Sequence, residues 1–92
     1  MSDFKSLLTR AALMHELCVD DPLAEAWWRG YQRGLRRAHY GQYGSESEHE
    51  ALLAAVGSRD RQRDALGLGY RAGLTLEWAE PAADGLLVRW QP

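Results

Sequence analysis

The feature that most constrains this chain is a hexapeptide used twice. Gly30-Tyr31-Gln32-Arg33-Gly34-Leu35 and Gly69-Tyr70-Arg71-Ala72-Gly73-Leu74 share four of six residues in register. Two glycines four apart lie on one face of a helix. Each glycine costs about 1 kcal/mol relative to alanine in a helix interior. The sequence keeps that cost in two places, so something must offset it. Close approach of two helix backbones is the usual offset, and it predicts that the second helix packs on the fourth. On this reading Gly30, Gly34, Gly69 and Gly73 are helix-packing residues, with Tyr31 and Tyr70 covering the contact. The competing reading lets a ligand or a nucleic-acid backbone approach the same glycines.

The pattern around the motif predicts four helices. Ser2 can cap a first helix over 2–18, where Phe4, Leu7, Leu8, Ala11, Met14 and Cys18 recur at three- and four-residue steps and Leu13 and Leu17 widen the stripe. Asp21-Pro22 opens a second helix over 22–40, with the Asp oxygen on a free amide and proline where no hydrogen bond is lost. Its core stripe is Leu23, Trp27, Gly30 or Tyr31, Gly34 and Ala38, and Gly41 can end it in a left-handed conformation. Ser45-Glu46-Ser47-Glu48 reads as a capping box for a third helix over 46–56, with His49, Leu52, Leu53 and Val56 inward. Ser58 or Asp60 starts a fourth over 59–72, with Ala65, Leu66, Gly69 and Tyr70 on its apolar face.

The period then changes. Leu74, Leu76 and Trp78 alternate with polar residues, as do Leu86, Val88 and Trp90 with their neighbours. Asp84-Gly85 offers a turn between them. This predicts a C-terminal β-hairpin over 74–79 and 86–91, with Trp78 and Trp90 on one face. The expected fold class is therefore α+β, mainly α. An isolated hairpin is marginal in water. It must pack on the helices, or pair through its edge with a second copy to give a homodimer.

Ninety-two residues suit one domain. Cys18 is the only cysteine, which excludes an intrachain disulfide and suggests a reduced, cytoplasmic setting. No apolar run is long enough for a membrane span, so no membrane partner is expected. Net charge is −2, but it is segregated. Glu16, Asp20, Asp21 and Glu25 form an acidic block, followed by Arg29, Arg33, Arg36 and Arg37, and then by Glu46, Glu48 and Glu50. Such blocks imply local charged surfaces rather than a polyanion-binding protein overall. Arginine outnumbers lysine ten to one, and with the abundant Ala, Gly and Leu this composition suggests a GC-rich bacterial or phage source.

The second helix carries the strongest functional signal. At about 100° per residue, its four arginines span an arc of roughly 100°, away from Trp27, Tyr31 and Ala38. With Trp28, Tyr40 or Tyr43 exposed beside it, such a ridge suits RNA through phosphate contacts and stacking. It equally suits an acidic protein partner, because arginine is enriched at interface hot spots. The bland reading is a solvated face paired internally with Glu46 to Glu50. Trp28, Tyr40, Tyr43 and the four arginines are thus the candidate partner-binding residues.

Catalytic and metal signals are weak. His15, His39, His49 and Cys18 match no zinc spacing, and Met14-His15-Glu16-Leu17-Cys18 lacks the second histidine of the metalloprotease motif. No phosphate loop or nucleophile motif is present. The expectation is a non-enzyme with no cofactor and no metal.

Arg29-Gly30-Tyr31-Gln32-Arg33-Gly34, and more loosely Gly67-Leu68-Gly69-Tyr70-Arg71, resemble segments of the ribosome modulation factor family. There, helices with this run clasp one another and a basic surface binds ribosomal RNA. The resemblance covers about a third of the chain. This chain departs from the family in its net charge, in the His39-Tyr40-Gly41-Gln42-Tyr43 link between the helices, and in its first helix and tail. The chain is also similar to small pseudomonad phage and genomic-island proteins with Gly-Tyr-x-x-Gly segments around a Glu-His pair such as Glu48-His49. That likeness implies a mobile-element origin and no activity. Together these readings predict a small non-catalytic binding protein that occupies a host protein or ribonucleoprotein assembly, as an inhibitor of the anti-CRISPR kind would. The alternative is a ribosome- or RNA-binding modulator acting through the second helix.

Overall fold

The computed structural model describes residues 3–42 and 44–81. It contains α1 (Phe4–Leu17), α2 (Pro22–Tyr40), α3 (Glu46–Ala54) and α4 (Arg61–Gly73). Local chemistry sets each start. Asp3, rather than Ser2, caps α1 by accepting from the Ser6 amide at 3.3 Å. Asp21 Oδ1 accepts from the Leu23 and Ala24 amides at 3.1 and 3.2 Å, ahead of Pro22. Ser45 Oγ accepts from the Glu48 amide at 3.1 Å. Asp60 accepts from the Gln62 and Arg63 amides and opens α4. Gly41, at φ 78°, ends α2 in the left-handed conformation that glycine adopts without a Cβ penalty.

The helix α2 is the spine. It packs against α4 most extensively and against α1 on another side, while α3 packs on α4. The doubled motif forms the α2/α4 seam. A Cβ added to Gly30 would collide with the Leu66 carbonyl oxygen, and one on Gly34 with that of Tyr70. One on Gly69 would meet the Trp27 carbonyl and one on Gly73 that of Tyr31. Two backbones therefore interlock, each glycine pair receiving the other helix's carbonyls. Tyr31 and Tyr70 are both buried beside this seam. A further glycine, Gly67, lets α3 approach: a Cβ there would stand 2.7 Å from the Leu52 oxygen and 2.9 Å from the Val56 nitrogen.

Burial on α2 is wider than one stripe. Ala26, Trp27, Trp28, Tyr31 and Leu35 join Leu7, Ala11 and Ala65 in one core. Trp28 is 1% exposed, because the segment after α4 covers the side of α2 that a single stripe leaves open. Trp78 packs on it, with ring centroids 5.4 Å apart, and meets Tyr31 edge-on at 5.9 Å. The Arg10 guanidinium lies 3.9 Å over the Trp78 ring. The expected widening of the α1 stripe fails. Leu13 and Leu17 are 55% and 69% exposed, since α1 offers only its Leu7–Ala11 side to α2. Leu53 of α3 is likewise exposed.

The α+β expectation is corrected: among the described residues the domain is all-α, with no strand. Over 74–79 the chain turns instead of extending. The amides of Leu74, Thr75 and Leu76 donate back to the carbonyls of Tyr70, Ala72 and Gly73, and Leu76 takes a positive φ of 57°. The alternating Leu76 and Trp78 then pack on the helical core rather than on a partner strand. The tyrosine hydroxyl of Tyr31 donates to the Glu77 carbonyl at 2.6 Å and ties this segment down. The second expected strand, 86–91, lies outside the described residues. No helix among the described residues is long and apolar enough to cross a membrane.

Candidate partner interface on the second helix

The arginines of α2 follow one another up its outer side, and each of three meets a carboxylate. Arg29 donates to both oxygens of Glu25, one turn earlier, at 3.1 and 3.3 Å. Beyond the left-handed Gly41, the start of α3 lies beside α2. There Arg37 donates to Glu46 at 2.8 Å and Arg33 pairs with Glu48. Arg36 is half-buried. The bland reading of internal pairing with the third helix thus describes Arg33 and Arg37.

The Glu48 carboxylate reaches Arg33 by lying against Gly44, which sits at φ 82°; a Cβ at Gly44 would strike it. The capping box is therefore only half formed. Ser45 caps the helix, while the Glu48 side chain is drawn to Arg33 instead of returning to the cap. Beneath these pairs stands Tyr70, whose hydroxyl hydrogen-bonds His49 Nδ1. Burial raises the Tyr70 hydroxyl pKa, and the charges of Arg37, Glu48, Arg33 and Glu46 act on it further. The Arg37 hydrogen bond lowers the Glu46 pKa, and the same bond raises that of Arg37. The Arg37 side chain is only 12% exposed, and its Nη1 is buried with no hydrogen-bond partner among the described residues.

A second polar centre closes the other end of α2. Glu25 accepts from Arg29 and meets His15 Nε2 of α1 at 2.7 Å. Burial pushes its pKa up, but the hydrogen bonds and charges of Arg29 and His15 outweigh that and leave it lowered.

The candidate aromatics separate. Trp28 is in the core, so it is corrected as an exposed anchor. Tyr40 is exposed, 5.6 Å edge-on from Phe4, whose ring stacks on His39 at 3.9 Å. Tyr43 lies outside the described residues. Two features escaped the sequence reading. Asp64 is buried and accepts from the Gly57 amide at 2.8 Å, closing the α3–α4 turn. Arg59, Arg61, Arg63 and Arg71 are exposed and form no ion pair among the described residues. Among those residues no group of three or more His, Cys, Asp or Glu is placed to hold a metal ion.

No protein-family model, curated protein or solved structure matches the chain.

Proposed function

We propose that this chain is a small non-catalytic binding protein that occupies a surface on a larger protein or ribonucleoprotein assembly, with the outer side of α2 as its working face. The observation that carries the reading is the charge pairing of that face. Arg29, Arg33 and Arg37 are each held by a carboxylate. Mixed, positioned charges around arginines are what protein interfaces use for register and specificity. A surface built for phosphates leaves its cations uncompensated, so that binding releases counterions. The glycine seam supports the reading from beneath, since interlocked backbones keep α2 from shifting relative to α4. Size and compact charge blocks suit an inhibitor or modulator of a host complex, of bacterial or mobile-element origin and anti-CRISPR-like in mode.

RNA or ribosome binding is the second reading. Exposed Arg59, Arg61, Arg63 and Arg71 favour it, together with the likeness of the Gly-Tyr-x-x-Gly segments to the ribosome modulation factor family. The two readings part in a capture experiment from bacterial lysate. A partner recovered equally with and without nuclease, and lost with Arg33→Glu plus Arg36→Glu, supports the protein reading. A partner lost on nuclease treatment, with affinity falling steeply in salt, supports RNA and overturns the first.

A further inference from the structure

The cations of α2 that face α3 are already occupied, and the manner of occupation is informative. Helix α3 packs on α4 but makes no close backbone approach to α2. Side-chain pairs Arg33–Glu48 and Arg37–Glu46 link it to α2. Both glutamates lie in the first turn of α3, the end away from the Leu52 and Val56 backbone that rests on Gly67. Glycines at positive φ flank the helix, Gly44 at 82° before it and Gly57 at 87° after it. Only Leu52 is buried within α3 itself. The two glutamate side chains are 66% and 43% exposed, and ion pairs to exposed carboxylates contribute little to stability, so Glu46 and Glu48 are lightly held while Leu52 and the His49–Tyr70 hydrogen bond anchor the helix.

We infer that the first turn of α3 is an acidic strap that occupies, in the same chain, the docking site for an acidic segment of the protein partner. The inference rests on the protein-partner reading and names the chemistry of that partner. Glu46 and Glu48 show what the site accepts: two carboxylates received by guanidiniums one helical turn apart. The site keeps a donor in reserve. Arg37 Nη1 is buried and unpartnered among the described residues, so a carboxylate better placed than Glu46 gains a hydrogen bond that the strap does not make. Exchange of one carboxylate for another preserves the charge balance of Arg33 and Arg37, which have poor access to water once covered. The strap also screens these arginines from non-specific anions, which sharpens selection for a partner that supplies more than charge.

The test uses the full chain and a fluorescent poly-glutamate peptide, read by anisotropy at low salt. Glu46→Gln with Glu48→Gln frees the site, and binding should tighten about fivefold or more over the wild type. Arg33→Gln with Arg37→Gln added to that variant should remove the gain. Glu16→Gln with Asp20→Asn, which changes net charge equally at exposed positions, should bind as the wild type does. A uridylate oligonucleotide should gain less than the peptide. Equal affinity of the freed variant and the wild type overturns the inference, as does a gain that survives loss of the arginines. A larger gain for the oligonucleotide assigns the site to nucleic acid and overturns it too. Should the freed variant lose helicity, the wild type carries the test through its arginine Nε–Hε resonances. Poly-glutamate should move those of Arg33 and Arg37 and leave Arg63 in place; unmoved Arg33 and Arg37 refute the strap. If lysate capture succeeds but does not need Arg33 and Arg37, the binding reading stands and this inference falls.

Discussion

Replacing Gly69 with alanine asks whether the α2/α4 seam is as close as the structure has it. A Cβ at Gly69 collides with the Trp27 carbonyl oxygen and stands 2.8 Å from its carbon and 3.0 Å from the Tyr31 nitrogen. All three are backbone atoms of a helix, so no rotamer change relieves the clash. Carbon contacts settle near 3.5–4.0 Å, so α2 must retreat by about 1 Å. That retreat also loosens the matching contacts at Gly30, Gly34 and Gly73 and the packing of Tyr31 and Tyr70. Overpacking of this kind costs about 3 kcal/mol at the upper end of its usual range. Alanine returns about 1 kcal/mol through helix propensity. The net is a loss of about 2 kcal/mol, or a fall in Tm of about 8–16 °C for a domain of this size. Thermal and urea unfolding followed by circular dichroism read it directly. The two effects differ in sign, which makes the result decisive. An unchanged or raised Tm would mean propensity wins and the helices do not interlock.

Four further predictions address the framework around the seam. Asp64→Ala leaves the Gly57 amide without its acceptor and should cost about 1–3 kcal/mol in urea unfolding. Tyr31→Phe removes the donor to the Glu77 carbonyl and should cost about 1 kcal/mol; it should also speed proteolytic cleavage after residue 74. Glu25 and Glu46 have pKa values held below their ordinary 4.5, so their contribution is present above that value and is lost as pH falls through the lower folded one. Glu25→Gln should flatten that acid slope in denaturation curves recorded across it. At the other extreme, burial raises the pKa values of Tyr31 and Tyr70 above 10, so stability should fall as pH climbs past 10.

The parts of this fold written in local chemistry were the legible ones. Asp21-Pro22, Ser45 and Gly41 mark helix ends because each satisfies or relaxes a terminus on its own. The doubled glycines pointed to the α2/α4 contact because a repeated cost implies a repeated reason. Context decided the rest. Alternation at Leu74, Leu76 and Trp78 is the same pattern in a strand and in a turn that feeds side chains to a core, and only the packing surface of Trp28 and Tyr31 distinguishes them. Trp28 reads as outward from one stripe, but α2 packs against α1, α4 and the segment after α4, whose Trp78 covers it. Leu13 and Leu17 read as inward because α1 was given a broader contact than it makes. At the candidate site, the arginine arc was visible from spacing, and so was pairing with Glu46 to Glu50 as an alternative. Which glutamate meets which arginine depends on how α3 is placed beside α2, and a helical wheel carries no such information. Asp64 left no signal at all, since a buried cap seven residues from its donor looks like any surface acid.

In this structure α2 and α4 form one locked unit, on which the Glu46–Glu48 end of α3 is a light strap. Native-state hydrogen exchange by NMR measures this residue by residue. The slowest exchange is expected at Tyr31, Gly34, Leu35 and Tyr70, approaching the global unfolding free energy. The amides of His49 and Glu50, whose acceptors lie at the start of α3, should exchange through a local opening well below that limit. Exchange at His49 and Glu50 as slow as at Tyr31 would show the strap to be part of the lock, and would contradict the claim.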